Sequence, residues 1–278
     1  IFIDSRPDHP GIDEDDIERN VTARTKAIVP VHYAGIGCDM DKIMRVASKY
    51  NLLVIEDAAQ AINSFYKGKP LGSIGHMAAF SFHETKNINS GEGGLLAIND
   101  ERFLNRSEII WEKGTNRAEF FRGEVNKYGW VDIGSSFLPS EIIAAYLWAQ
   151  LENLDEIQEK RCAIWNRYFN GIKKWANLNE IGLPFIPEYT SQNGHLFYLI
   201  FKTCQQRDQM IKRLGENGIH SVFHYLSLHN SKYYEKFNPG LALPNSDHYS
   251  ETLLRLPLFF ELSFVEVDEI IAVITGEK

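Results

Sequence analysis

Apolar and polar positions come in blocks along the first hundred residues. Ala27-Ile28-Val29-Pro30-Val31 is apolar and largely β-branched, which predicts a strand with irregular pairing at Pro30. Asp39 is placed to cap a helix over 40–50, in which Ile43, Met44 and Val46 share one broad face while Asp41, Lys42, Arg45 and Lys49 suit the wet side. The run 52–55 reads as the next strand, completing a strand-helix-strand unit with a right-handed crossover. Ile1-Phe2-Ile3-Asp4 also has the pattern of a strand interior.

After a turn at Lys67-Gly68-Lys69-Pro70 and Gly72, the apolar stretches 77–82 and 95–98 bracket a loop that closes on Gly91-Glu92-Gly93-Gly94. Pro139 suits the first turn of a helix in which Ile143, Leu147, Leu151, Leu154 and Ile157 recur three or four residues apart. One helix running past Trp165 is expected, of a length that joins two domains or lies along an interface. Beyond Leu183-Pro184 the pattern is mixed, with strands over 195–201 and 220–223 and helices over 208–214 and from Val265. The chain therefore reads as α/β, with a mostly parallel sheet in a large domain over 1–160 and a small α+β domain over 161–278.

Composition narrows the function. With 37 acidic against 29 basic residues and a net charge of −8, the chain lacks the footprint of a nucleic-acid binder. Cys38, Cys162 and Cys204 are odd in number and far apart, without the spacing of a disulfide framework or a zinc knuckle, and fit a reducing cytoplasm. No run of about 18 apolar residues suggests a membrane span. Neither a P-loop nor a G-x-G-x-x-G motif is present, so small-molecule chemistry of another kind is expected.

That chemistry centres on two segments. Val54-Ile55-Glu56-Asp57-Ala58-Ala59-Gln60 and Ser81-Phe82-His83-Glu84-Thr85-Lys86-Asn87 each follow an apolar strand, so Asp57 and Lys86 are expected at neighbouring strand ends of one sheet. An amine facing a carboxylate is what pyridoxal phosphate (PLP) requires. The lysine holds the aldehyde as a Schiff base, and the acid keeps the pyridine nitrogen protonated. Ala58 and Ala59 leave room for a flat ring. Gln60, one helical turn from Asp57, can reach the ring oxygen or be a solvent-facing amide. The Ser81 hydroxyl can donate to a phosphate or serve as a local cap. His220, His224 and His229 lack a metal-site spacing. Trp111, Trp130, Trp148 and Trp165 suit core or interface positions.

These segments, with Gly72-Ser73-Ile74-Gly75 between them and Gly91-Glu92-Gly93-Gly94 after them, resemble in order the DegT/DnrJ/EryC1/StrS family of PLP-dependent sugar aminotransferases. The resemblance extends along nearly the whole chain. It implies a fold-type I transferase that acts as a homodimer with sites at the interface. The same resemblance implies that Lys86 carries the cofactor, Asp57 meets the pyridine nitrogen, Gln60 the ring oxygen and Ser81 the phosphate. Ser136 is expected to reach the phosphate from the other subunit, and Tyr225 and His229 to face the substrate. The implied reaction passes an amino group from L-glutamate to C4 of dTDP-4-dehydro-6-deoxyglucose, a nucleotide sugar that feeds polysaccharide synthesis.

Several positions depart from the family pattern. Ser136 stands where many members have Asn, Leu138-Pro139 replaces Arg-Met, Ser227 replaces Pro in the Tyr-x-Pro-Leu-His motif, and Trp111 takes a position commonly basic. Relatives also have two strand-helix units, with the loop that binds the phosphate, before the position of Ile1; the chain is thus expected to be truncated at its N-terminus and to hold PLP weakly. The alternatives are a noncatalytic dimerising subunit and a sugar dehydratase of the same family, in which His replaces the lysine.

Overall fold

A computed structural model describes residues 1–276. After a short helix α1 (Glu14–Ile17), the strand β1 (Ala27–Ile28), helix α2 (Met40–Tyr50) and strand β2 (Leu53–Asp57) form the expected unit. The Asp39 carboxylate accepts from the Lys42 N–H, and Asn51 ends the helix in the left-handed region with φ 51°. Met40, Ile43, Val46 and Ala47 are the buried face of α2. Strand β1 is shorter than predicted: Pro30 has no N–H to donate, and pairing resumes only as a single bridge between Val31 and Asp57.

A small hairpin, β3 (Phe65–Tyr66) and β4 (Lys69–Pro70), occupies the predicted turn. Strands β5 (Met77–Ser81) and β6 (Gly94–Ile98) follow. The sheet order is β1-β2-β5-β6, parallel from β1 to β5 and antiparallel between β5 and β6. With Asp57 opposite Ala79, β2 and β5 end side by side. Ile1 to Asp4 form no strand, contrary to expectation. The Asp4 carboxylate accepts from the N–H groups of Asn245 (3.0 Å) and Ser246 (2.8 Å), so this segment caps a later helix instead.

Helices α3 (Leu104–Trp111) and α4 (Arg117–Phe121) lead to α5 (Glu141–Glu152) and α6 (Leu154–Asn179). The single helix expected from Pro139 is two. Ser140, not Pro139, starts α5 by accepting from the Ile143 N–H, and Asn153 (φ −108°, ψ 15°) breaks the path between α5 and α6. The remaining elements are β7 (Phe197–Ile200), α7 (Cys204–Glu216), β8 (Val222–Phe223), α8 (Pro244–Thr252), β9 (Leu253–Leu256) and α9 (Phe264–Thr275). They form a second antiparallel sheet, β7-β9-β8, with β9 the central strand.

One core lies between α2 and the first sheet, around Met40, Ile43, Val54 and Ala78. Another joins α6, α9, β7 and β9 through Trp165, Tyr168, Phe197 and Val267. Helix α6 serves more than one packing cluster, because its Ile157 packs with Phe82 and Ile88 beneath the Lys86 loop. Trp165 is a core residue, whereas Trp111, Trp130 and Trp148 are exposed. Among the described residues, no helix is long and apolar enough to cross a membrane.

Candidate active site

Strand β2 sends alternate side chains to opposite faces, and its last two residues use this alternation. Glu56 turns inward and is fully buried. It accepts hydrogen bonds from the N–H groups of Gly72 (2.8 Å), Ile74 (2.8 Å) and Gly75 (2.6 Å), and from His32 Nε2 (2.9 Å). Burial raises its pKa, but these donors together outweigh it and hold the carboxyl below the usual range. Asp57 faces the other way and is half-buried. One Asp57 oxygen accepts from the Ala59 N–H at 3.1 Å, which leaves acceptor capacity toward the open side.

Lys86 sits in a loop tied at its base by Phe82 N–H to Gly93 O (2.8 Å) and Glu84 N–H to Gly91 O (2.8 Å). Its ammonium is half-buried. Desolvation lowers its pKa below the ordinary 10.5, while the charges of Asp57 and Tyr225 pull the other way. Asp57 and Tyr225 therefore both lie close enough to act on Lys86 through space. Lys86 also borders a cavity of about 650 Å³ between its loop, α5, α6 and residues 258–261.

Gln60 lies on the turn after β2. Its Oε1 accepts from the Ala34 N–H (2.6 Å), which leaves its NH2 as the donor available to a ring oxygen. Ser81 ends β5, where its hydroxyl accepts from the His83 N–H at 3.3 Å. Tyr225 is exposed, with the Arg255 guanidinium 4.9 Å from its ring centre. His229 is buried and directed at Asp247 (3.3 Å), and His224 Nδ1 meets the Tyr33 hydroxyl (2.9 Å). Among the described residues, no three His, Cys, Asp or Glu side chains are grouped to hold a metal ion. Ser136 is exposed on a backbone bridge to Glu112, and among the described residues no hydrogen bond joins it to Asp57 or Lys86.

Sequence reasoning missed the second layer of the site. Asn87, the neighbour of Lys86, is buried and donates to Gln158 Oε1 (2.9 Å) and to the Asn193 carbonyl (2.8 Å). His195 Nδ1 meets Asn87 Oδ1 at 2.8 Å. Burial pushes the His195 imidazole down to about 3, with the positive charges of Arg161, Lys86 and Arg255 adding to the effect. These partners come from distant parts of the chain, and only the adjacency of Asn87 to Lys86 was visible in the sequence.

Residues 1–275 match the model of the DegT/DnrJ/EryC1/StrS aminotransferase family. The chain belongs to that family. The spore coat polysaccharide biosynthesis protein SpsC of Bacillus subtilis is 35% identical over 280 residues, covering 98% of this chain and 71% of that protein. DesV of S. venezuelae, solved in complex with a ketimine intermediate, is 30% identical, with a TM-score of 0.89 over all of this chain and 72% of DesV. The PLP form of the putative sugar aminotransferase Spr1654 from Streptococcus pneumoniae is 26% identical, with a TM-score of 0.87 over 99% of this chain and 74% of that one. The fold is that of the type I PLP-dependent aminotransferases.

Proposed function

We propose that this family member is a PLP-dependent sugar aminotransferase that transfers an amino group from L-glutamate to C4 of a nucleotide-linked 4-keto-6-deoxy sugar, dTDP-4-dehydro-6-deoxyglucose. The observation that carries this reading is the electrostatic coupling of a half-buried lysine and a carboxylate with spare acceptor capacity, at the adjoining ends of β2 and β5. The donor set fits the cofactor. Lys86 Nζ would hold its aldehyde, Asp57 its ring nitrogen, the Gln60 NH2 its ring oxygen and Ser81 its phosphate. When bound, PLP supplies an electron sink for charge developing on a substrate carbon.

The protein's own groups then have defined tasks. Asp57, as an anion, holds a proton at the ring nitrogen. Lys86, short of protons relative to an ordinary lysine, is the base placed to move a proton at the substrate carbon that bears nitrogen. Tyr225, near enough to influence Lys86, stands on the substrate side, and His229 would support that side through Asp247. The sugar substrate is supported by two stretches, 112–117 and 130–151, that are similar to dTDP-4-amino-4,6-dideoxygalactose transaminase. A homodimer is supported by exposed apolar side chains around Ser136, among them Trp130, Ile133, Phe137 and Trp148, with Ser136 of one copy serving the site of the other.

The test is direct. With PLP in large excess over a weak site, a visible absorption band should appear, and borohydride should fix the cofactor's mass on the peptide that contains Lys86. Lys86→Ala should lose both. Full transaminase activity in that variant would refute the role of Lys86. If glutamate drives amination of no 4-keto-6-deoxy sugar nucleotide, the proposed substrate is wrong.

A further inference from the structure

We propose that Asn193 is a positioning residue that clamps the turn presenting Asp57 and Gln60 to the loop presenting Lys86. Its consequence for catalysis rests on the aminotransferase reading; the clamp itself does not. Asn193 is 1% exposed. Its side-chain NH2 donates to the carbonyls of Gln60 and Ile62, both at 2.8 Å, so both hydrogens are used on the turn that follows Asp57. Its Oδ1 accepts from the His195 N–H at 3.1 Å. Its main-chain carbonyl accepts from Asn87 Nδ2 at 2.8 Å, one residue from Lys86. A single buried residue thus holds both halves of the site.

The fit around it is close. Gly35 has φ +76°, and a Cβ there would lie 2.0 Å from Asn193 Oδ1, so the amide rests against the turn whose Ala34 N–H fixes the Gln60 side chain. Gln60 is consequently held at both its side-chain and main-chain oxygens. Gly194 has φ +60°, and a Cβ there would stand 2.7 Å from the Arg161 carbonyl carbon, which seats the clamp on the backbone of α6. Asn87 Nδ2 has two acceptors, so Asn87 Oδ1 must accept, and the neutral His195 carries its proton on Nδ1. Removing the Asn193 amide takes that donor from the part-buried Gln60 carbonyl and leaves the Ile62 carbonyl only the 3.4 Å bond from Gln158 Nε2, so the turn is free to shift against the Lys86 loop. A displacement of about 1 Å can cost roughly a hundredfold in rate.

Hydrogen exchange on the cofactor-free chain decides the clamp. In Asn193→Ala, the turn amides of Ala61 and Ser64 and the loop amide of Lys86 should exchange at least tenfold faster (~10-fold is about 1.4 kcal/mol of local opening), with β7 and α9 unchanged. The isosteric Asn193→Asp, which loses both donated bonds but keeps the volume, should give the same pattern and serves if the Ala variant does not fold. Asn87→Ala should loosen Lys86 and leave Ala61 protected. Unchanged exchange at Ala61 and Ser64, or an equal rise throughout the chain, would overturn the proposal. In turnover assays, Asn193→Asp should lower kcat about a hundredfold with little change in KM for glutamate, and an unaltered kcat would remove the catalytic consequence. Failure of borohydride to fix PLP on the unsubstituted protein even with the cofactor in large excess would refute the aminotransferase reading, while the exchange pattern would still decide the clamp.

Discussion

Lys86 shows how a residue's surroundings set its chemistry. Desolvation makes its ammonium easier to deprotonate, and the anion of Asp57 opposes this. Labelling of Lys86 by an amine-reactive reagent, followed by peptide mass against pH, should have a midpoint below the ordinary 10.5. Asp57→Asn removes a negative charge, so that midpoint should move further down; an upward movement would contradict the coupling. Lys86 and Asp57 were legible in the sequence because each follows an apolar strand and a strand end is a definable place. Asn193 was not legible. It lies 133 residues from Gln60 and 106 from Asn87, and nothing in its local pattern separates it from an ordinary loop asparagine.

At the scale of elements, the turn over 72–75 is fastened to β2 by Glu56. Glu56→Ala would leave three N–H groups and His32 without their buried acceptor, at a cost of about 3–5 kcal/mol. Urea unfolding should report that loss, and a change below about 0.5 kcal/mol would mean that water replaces the carboxylate. Helix α2 and strands β2 and β5 were readable because their signals are local: a cap, an apolar face, a β-branched run. The division between α5 and α6 was not, since Asn153 interrupts the backbone without interrupting the apolar spacing of Leu151, Leu154 and Ile157. Strand β9 escaped notice because Arg255 stands within it and α8 runs directly into it; its identity comes from pairing with β7 and β8.

Across the whole molecule, the buried His9 and His195 and the partly buried His224 make stability sensitive to acid. Burial pushes His9 and His224 down to about 4 and His195 to about 3, against 6.5 for the free side chain. Between those values the unfolded chain binds more protons than the folded one. Each histidine should therefore remove up to about 1.4 kcal/mol per pH unit as pH falls from 6.5 toward 4. Urea midpoints at successive pH values should show the slope, and His9→Asn should flatten it. The proposed homodimer predicts that Trp148→Asp, on the exposed apolar face, lowers the apparent mass in sedimentation equilibrium, and an equal mass for both proteins would refute that face as the interface. Because α6 supplies Ile157 beneath the Lys86 loop and Ile164, Tyr168 and Ile172 to the other core, one rod joins the two packing clusters. The C-terminal half should therefore not liquefy while the lysine keeps its floor, and a calorimeter should record a single endotherm.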